Sequence, residues 1–156
     1  MLFTSISPEA FDHKNISKDI HEMNDHIKNL LVNAPPSHEI PFDVLQEIRR
    51  QGGGLLAFQP YSDRAENRQI GIGDHKVMIR IINHDSPDFI YMHIHGGGHC
   101  IGAADMQDQS LEKISNDLNC VVVSVEYRLA PTNPYPAAPD DCETAAVWLI
   151  ENSKKE

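Results

Sequence analysis

Positive charge is in short supply in this chain: 13 Lys and Arg stand against 23 Asp and Glu, a formal net charge of -10. A basic face able to neutralise nucleic-acid phosphates is therefore not expected. An anionic membrane surface is equally disfavoured, and acidity of this size serves solubility. No apolar run approaches transmembrane length, and the first residues lack both the basic flank and the sustained apolar stretch of a signal peptide. Cysteine is scarce too. Cys100, Cys120 and Cys142 make an odd count with no C-x-x-C pair, which argues against a disulfide framework and predicts a reducing, cytoplasmic setting. Internal repeats, low-complexity tracts and obvious linkers are also missing.

What is present is the composition of one ordinary globular domain: 156 residues, 40% hydrophobic and 23% charged. The N-terminal third predicts helix. Ser7-Pro8-Glu9 offers a cap, a proline for the first turn and an early acid. Ile16, Ile20, Met23, Ile27, Leu30 and Leu31 then recur at helical spacing until Ala34-Pro35-Pro36 stops them. A second helix is expected after Pro41, with Val44, Leu45 and Ile48 inward and Gly52-Gly53-Gly54 ending it.

From about Gln69 the period changes. Val77, Ile79 and Ile81 alternate with Met78, Arg80 and Ile82, and Gly73-Asp74 just before them predicts two strands joined by a tight turn. The runs Phe89–Ile94 and Cys120–Val125 are nearly all apolar, as in strands of a parallel sheet buried on both faces. Leu111, Ile114 and Leu118 mark a helix between them; Ala145, Val147, Trp148 and Leu149 mark another from Ala138 to Ile150. Strand–helix–strand–helix is an α/β pattern.

Between the strand and helix of this pattern lies "HIHGGGHC", residues 93–100. Three imidazoles, His93, His95 and His99, could bind zinc as in a metal-dependent hydrolase, though no carboxylate stands at a convincing ligand spacing. A phosphate loop would need G-x-x-x-x-G-K-[ST] or G-x-G-x-x-G, and neither occurs. Three glycines past a buried strand suit a third role. They admit backbone angles closed to other residues and leave bare N–H groups to face a ligand, as an oxyanion hole requires. A glycine-rich turn without chemistry is the plain alternative.

His95-Gly96-Gly97-Gly98, followed by Ser124-Val125-Glu126-Tyr127-Arg128-Leu129-Ala130-Pro131 and Asn133-Pro134-Tyr135-Pro136-Ala137-Ala138-Pro139-Asp140-Asp141, resembles the hormone-sensitive-lipase group of α/β-hydrolase esterases from about residue 75 to 150. The resemblance implies the first strands of a mostly parallel sheet with flanking helices (residues 55–156), behind an N-terminal helical cap segment (residues 1–54). It implies carboxylic ester hydrolysis by serine acyl transfer on a small-molecule ester, with neither cofactor nor metal. Gly97 and Gly98 would supply the oxyanion-hole N–H groups, Gly96 would shape the turn, and His95 would anchor the loop. The Tyr-Arg-Leu-Ala-Pro segment would organise the start of the following helix. His99, Thr132 and Asn133 depart from the usual pattern without removing a catalytic atom.

A larger departure concerns the triad. In this fold it runs Ser, then Asp or Glu, then His, with the serine on a G-x-S-x-G elbow. No serine here is so flanked. Ser124 is expected in a buried strand, Ser110 and Ser115 on a surface helix, and Cys100 as a structural thiol. The expectation is an N-terminal portion ending at Glu156 before the elbow, with no catalytic residue of its own. An inactive small-molecule binding module is the alternative. The strand Phe89–Ile94 would then lie at a sheet edge, open to a second copy or another complementing chain.

Overall fold

The computed structural model describes residues 7–52 and 60–153, which divide into two compact units on either side of the Ile40–Pro41 bond. The boundary expected at 54 falls within residues 53–59, outside the described residues, as do Gly53 and Gly54.

In the first unit, Ser7 caps as expected, its Oγ accepting the Glu9 N–H at 3.3 Å, but the element it opens is a short 3-10 helix, Pro8–Phe11. A second, His13–Asn15, leads to helix α1, Lys18–Asn33. Ile16 thus caps the second 3-10 turn and is not part of the helical stripe. Within α1 the stripe exists but is not buried: Ile20, Met23, Leu30 and Leu31 are all exposed.

The second unit begins with α2, Phe42–Arg50, which places Leu45 half-buried but leaves Val44 and Ile48 exposed. Gly52 follows with φ +76°, as a glycine C-terminus demands. Strands β1 (Ala65–Ile72) and β2 (His75–Ile82) form the expected hairpin, closed by the two-residue turn Gly73-Asp74 with Ile72 opposite His75. Strand β3 is Phe89–Ile94, helix α3 Asp108–Leu118, strand β4 Cys120–Glu126 and helix α4 Ala137–Asn152.

The sheet order is β1-β2-β4-β3. Only β3 and β4 run parallel, because only they are joined by a helical crossover long enough to reverse the chain; β1–β2 and β2–β4 are antiparallel. A sheet expected to be mostly parallel is thus mixed in this part of the fold. Alternation sends Val77, Ile79, Ile81, Val123 and Val125 to one face, where they pack with Ala138, Ala145 and Leu149 of α4. Ile82, Cys120 and Val122 pack with Leu111 of α3 on the other. With both faces covered, β4 and the C-terminal half of β2 (residues 79–82) lose their solvent side, and even Arg80 is only 9% exposed.

Strand β3 departs from the expectation of burial on both faces. Among the described residues it pairs with β4 alone, and Phe89, Tyr91 and Ile94 are exposed, as an edge position allows. Helix α3 turns Leu111 inward but leaves Leu118 exposed; its other buried residues are Asp108 and Ser115. Among the described residues no helix is long and apolar enough to cross a membrane.

Candidate functional site

Strand β3 ends at Ile94, so His95 leaves the strand and does not share its face with His93. The His95 ring stacks on Tyr127, with centroids 4.0 Å apart and planes 12° from parallel. Its Nδ1–H donates to the Gly96 carbonyl at 3.0 Å, and its own carbonyl accepts from the Tyr127 hydroxyl at 2.6 Å. Burial, with the nearby His99, holds its pKa below the usual histidine value against the pull of Asp105 and the Gly96 contact. Nδ1 carries the proton, leaving Nε2 as a buried lone pair with no partner among the described residues. Such a ring serves as a structural anchor, with its basic nitrogen buried.

The turn that follows uses backbone angles that few side chains permit. Gly97 has φ +131° and Gly98 +61°, and the chain doubles back at Gly102 with φ +103°. A Cβ at Gly97 would lie 2.0 Å from the Ile101 carbonyl oxygen; one at Gly102 would lie 2.5 Å from both the Gly96 oxygen and His95 Nδ1. The Gly97 carbonyl accepts from Cys100 and Ile101 at 3.2 and 3.1 Å. By contrast, the N–H groups of Gly96, Gly97 and Gly98 find no acceptor among the described residues. Backbone donors held rigidly and left without a partner are what an oxyanion site needs.

Beside this turn lies a cavity of about 620 Å³, at the carboxyl end of β4. Gly96, Gly97, Arg50, Tyr61, Met78 and Glu126 contribute to its wall. Open α/β sheets bind ligands outside the carboxyl ends of their strands.

The metal reading loses its geometry. Among the described residues no three His, Cys, Asp or Glu side chains cluster as ligands, and the three imidazoles point to different neighbours. The Nδ1 of His93 lies 3.0 Å from Ser124 Oγ, whereas the ring of His99 tilts toward Tyr127. His93 and Ser124 are spaced like a base and its nucleophile, and burial keeps His93 below the usual imidazole pKa. Yet Ser124 is 1% exposed, so no ester carbonyl can approach it.

Ser110 is exposed as expected, but Ser115 is not a surface residue: it is fully buried and its hydroxyl donates to the Cys120 carbonyl at 2.7 Å. The carbonyl of Cys100 accepts from Gln46 Nε2 at 2.7 Å, which ties α2 to the glycine loop.

The Tyr-Arg-Leu-Ala-Pro segment is fixed by a residue that the resemblance includes but to which it gave no role. Asp141 of α4 accepts from the Arg128 backbone N–H at 2.8 Å, from its guanidinium, and from His75 at 2.7 Å. Burial would push the Asp141 carboxyl up, but Arg128 and His75 hold it below the usual carboxylate range. Glu126, also within the resemblance, was given no role either, and Gly102 was missed. The small run Gly102-Ala103-Ala104 was the available signal for a close return of the chain.

Residues 91–156 match the family model described as the α/β hydrolase fold. The chain is 34% identical over 113 residues to an arylesterase of Saccharolobus solfataricus, covering 69% of this chain and 37% of that protein. It is 41% identical over 107 residues to Lipase 2 of Moraxella sp. (strain TA144), covering 69% of this chain and 22% of that protein. A solved arylesterase structure superposes with a TM-score of 0.67 at 26% identity, covering 86% of this chain and 45% of its own. The chain thus spans less than half the length of these relatives.

Proposed function

We propose that this chain, which matches the α/β hydrolase fold over residues 91–156 and is similar to esterases and lipases, supplies the oxyanion hole and part of the substrate cavity of a carboxylic ester hydrolase. One observation carries the reading: the Gly97 and Gly98 N–H groups have no acceptor among the described residues, on a loop whose Gly96, Gly97 and Gly102 wall a cavity of about 620 Å³. When a serine attacks an ester carbonyl, the carbonyl oxygen becomes an oxyanion, and these two donors stabilise it. Gly96 shapes the turn, and His95, stacked on Tyr127, anchors it. The nucleophile, its acid and its histidine come from outside these residues, because no G-x-S-x-G occurs here and Ser124 is sealed. A small-molecule ester is the substrate. Three free thiols support a cytoplasmic location.

The test compares this chain alone with the same chain joined to the remaining C-terminal length of the Saccharolobus solfataricus arylesterase. Intact mass after fluorophosphonate treatment should show no adduct on the first and one on the second, and only the second should hydrolyse a short aryl ester. A stoichiometric adduct on the chain alone overturns the division of labour. A labelled, folded hybrid that binds the ester without hydrolysing it favours the binding-module reading.

The outer edge of β3, unpaired among the described residues, would pair the 156-residue chain with a second copy when no further strand covers it. Phe89, Tyr91 and Ile94 are 47%, 36% and 52% exposed, and the strand contains neither lysine nor proline to discourage pairing. A two-fold axis normal to the sheet joins residues of like face, which centres the pairing on Tyr91 or Met92. Sedimentation at several concentrations should show a dimer; a monomer throughout would remove this contact.

A further inference from the structure

The cavity wall contains a carboxylate that the proposed chemistry does not use. Glu126 is the last residue of β4 and only partly exposed. Burial and the neighbouring Asp105 push its carboxyl up, opposed by the Ala104 N–H and by Arg50 of α2. Burying a carboxylate is costly unless it is well hydrogen-bonded, so its partner is informative. Oε2 accepts a short hydrogen bond from the Ala104 backbone N–H.

Ala104 closes the glycine loop. The loop's near end is held by the Tyr127 hydroxyl on the His95 carbonyl at 2.6 Å. Its middle is held by the Ala130 N–H on the His99 carbonyl at 2.8 Å, and by Gln46 on the Cys100 carbonyl. Past Ile101 the chain turns back so closely that Gly102 lies directly against Gly96 and His95, with no room for a Cβ between them. Whatever fixes residues 102–104 therefore also bears on the Gly96–Gly97 peptide plane, which carries the Gly97 N–H, while the next plane, which carries the Gly98 N–H, is held by the bonds of the Gly97 carbonyl to Cys100 and Ile101.

We infer that Glu126 is the positioning residue that fixes the far end of the 95–104 loop and, through Gly102, the direction of the Gly97 N–H, with the adjoining Gly98 N–H following it along the chain. It touches no reacting atom. One strand end then sets both ends of the loop: Tyr127 fixes where it starts and Glu126 where it closes. The consequence for catalysis rests on the oxyanion reading above; the positional claim does not.

Amide spectra and hydrogen exchange of the 156-residue chain test it, with Glu126→Leu keeping the side-chain stem and Glu126→Gln keeping an acceptor. In the Leu variant the Ala104 amide should exchange roughly 10- to 100-fold faster, as expected for loss of a hydrogen bond to a charged group. The Gly97 and Gly98 resonances should shift with it, while those of the β1–β2 hairpin stay in place. In the Gln variant Gly97 and Gly98 should return to their original positions. Unmoved glycine resonances in the Leu variant overturn the inference, as does a Gln variant that behaves like Leu. Loss of the hairpin resonances in the Leu variant would make Glu126 a residue of the fold at large and also overturn it. Failed ester hydrolysis with these shifts intact would sink the esterase reading and leave Glu126 in its role.

Discussion

Gly97→Ala should cut ester hydrolysis by the arylesterase hybrid by about 100- to 1,000-fold, the loss typical of removing one oxyanion donor. The cause is steric. At φ +131° the new methyl group would lie 2.0 Å from the Ile101 carbonyl oxygen, which is backbone and cannot rotate away. Relief requires the peptide plane between Gly97 and its neighbours to turn, and that plane carries the N–H groups in question. Stability should fall as well, by about 1–3 kcal/mol for a side chain forced into a sparsely populated region.

Neighbouring glycines make the control. Gly96 has open space where a Cβ would project and no positive φ, so Gly96→Ala should leave stability within about 0.5 kcal/mol, the usual range for uncrowded surface positions. Gly98 has positive φ, at +61°, but no crowding, so Gly98→Ala should fall between the two. Thermal unfolding and the rate of aryl ester hydrolysis, measured across the three variants, check the ranking. Equal rates for Gly96→Ala and Gly97→Ala would show that the loop geometry is not what the reaction uses.

The glycine loop was legible in the sequence because its signal is local. Three consecutive glycines after an apolar run mean unusual backbone whatever the fold. The hairpin was legible for the same reason: Gly73-Asp74 between alternating residues fixes both turn and register. Apolar periodicity found α3 and α4 but misjudged which residues of α3 are buried. It counts only apolar side chains, whereas α3 buries Asp108 and Ser115 through contacts with Arg80 and the Cys120 carbonyl. Arg80 looked like the solvent side of an alternating strand because nothing local says that a helix covers that face.

Long-range polar contacts were out of reach. His75 and Asp141 are 66 positions apart, and Glu126 meets Ala104 only once β4 lies beside the strand that feeds the loop. The N-terminal signals failed differently. Ser7-Pro8-Glu9 is a sound cap, but a cap specifies where a turn starts and not how long it runs; the 3-10 helix it opens stops at Phe11. In α2 the apolar residues have helical spacing, yet only Leu45 finds even partial cover. Periodicity reports that a face could be buried, and tertiary packing decides whether it is.

Asp108→Ala should lower stability by about 3–5 kcal/mol, the cost of leaving a buried charge without its partner. That is a large share of the roughly 5–15 kcal/mol that holds a domain of this size together. Asp108 is 0% exposed and accepts from Arg80 through both Nε, at 2.8 Å, and Nη2, as well as from the Ser62 N–H at 2.9 Å. Its removal leaves Arg80, 9% exposed, with the Asn67 side-chain oxygen at 3.0 Å and the Tyr61 ring 5.7 Å away but no carboxylate partner among the described residues, and orphans the buried Ser62 backbone donor. The exposed pairs Lys18–Glu22 and Lys113–Asp117 are each worth only about 0.3–0.5 kcal/mol. Urea unfolding of the single variant and of Arg80→Met with Asp108→Leu separates the pair's net value from the cost of breaking it. The double variant should regain the part of the loss that comes from the unpaired Arg80 charge, because two apolar groups replace two charges, while the Ser62 N–H stays orphaned. A single variant that loses less than about 1 kcal/mol would mean that water reaches Arg80 once Asp108 is gone. The pair would then be a feature of the cavity wall and not of the core that joins β2 to α3.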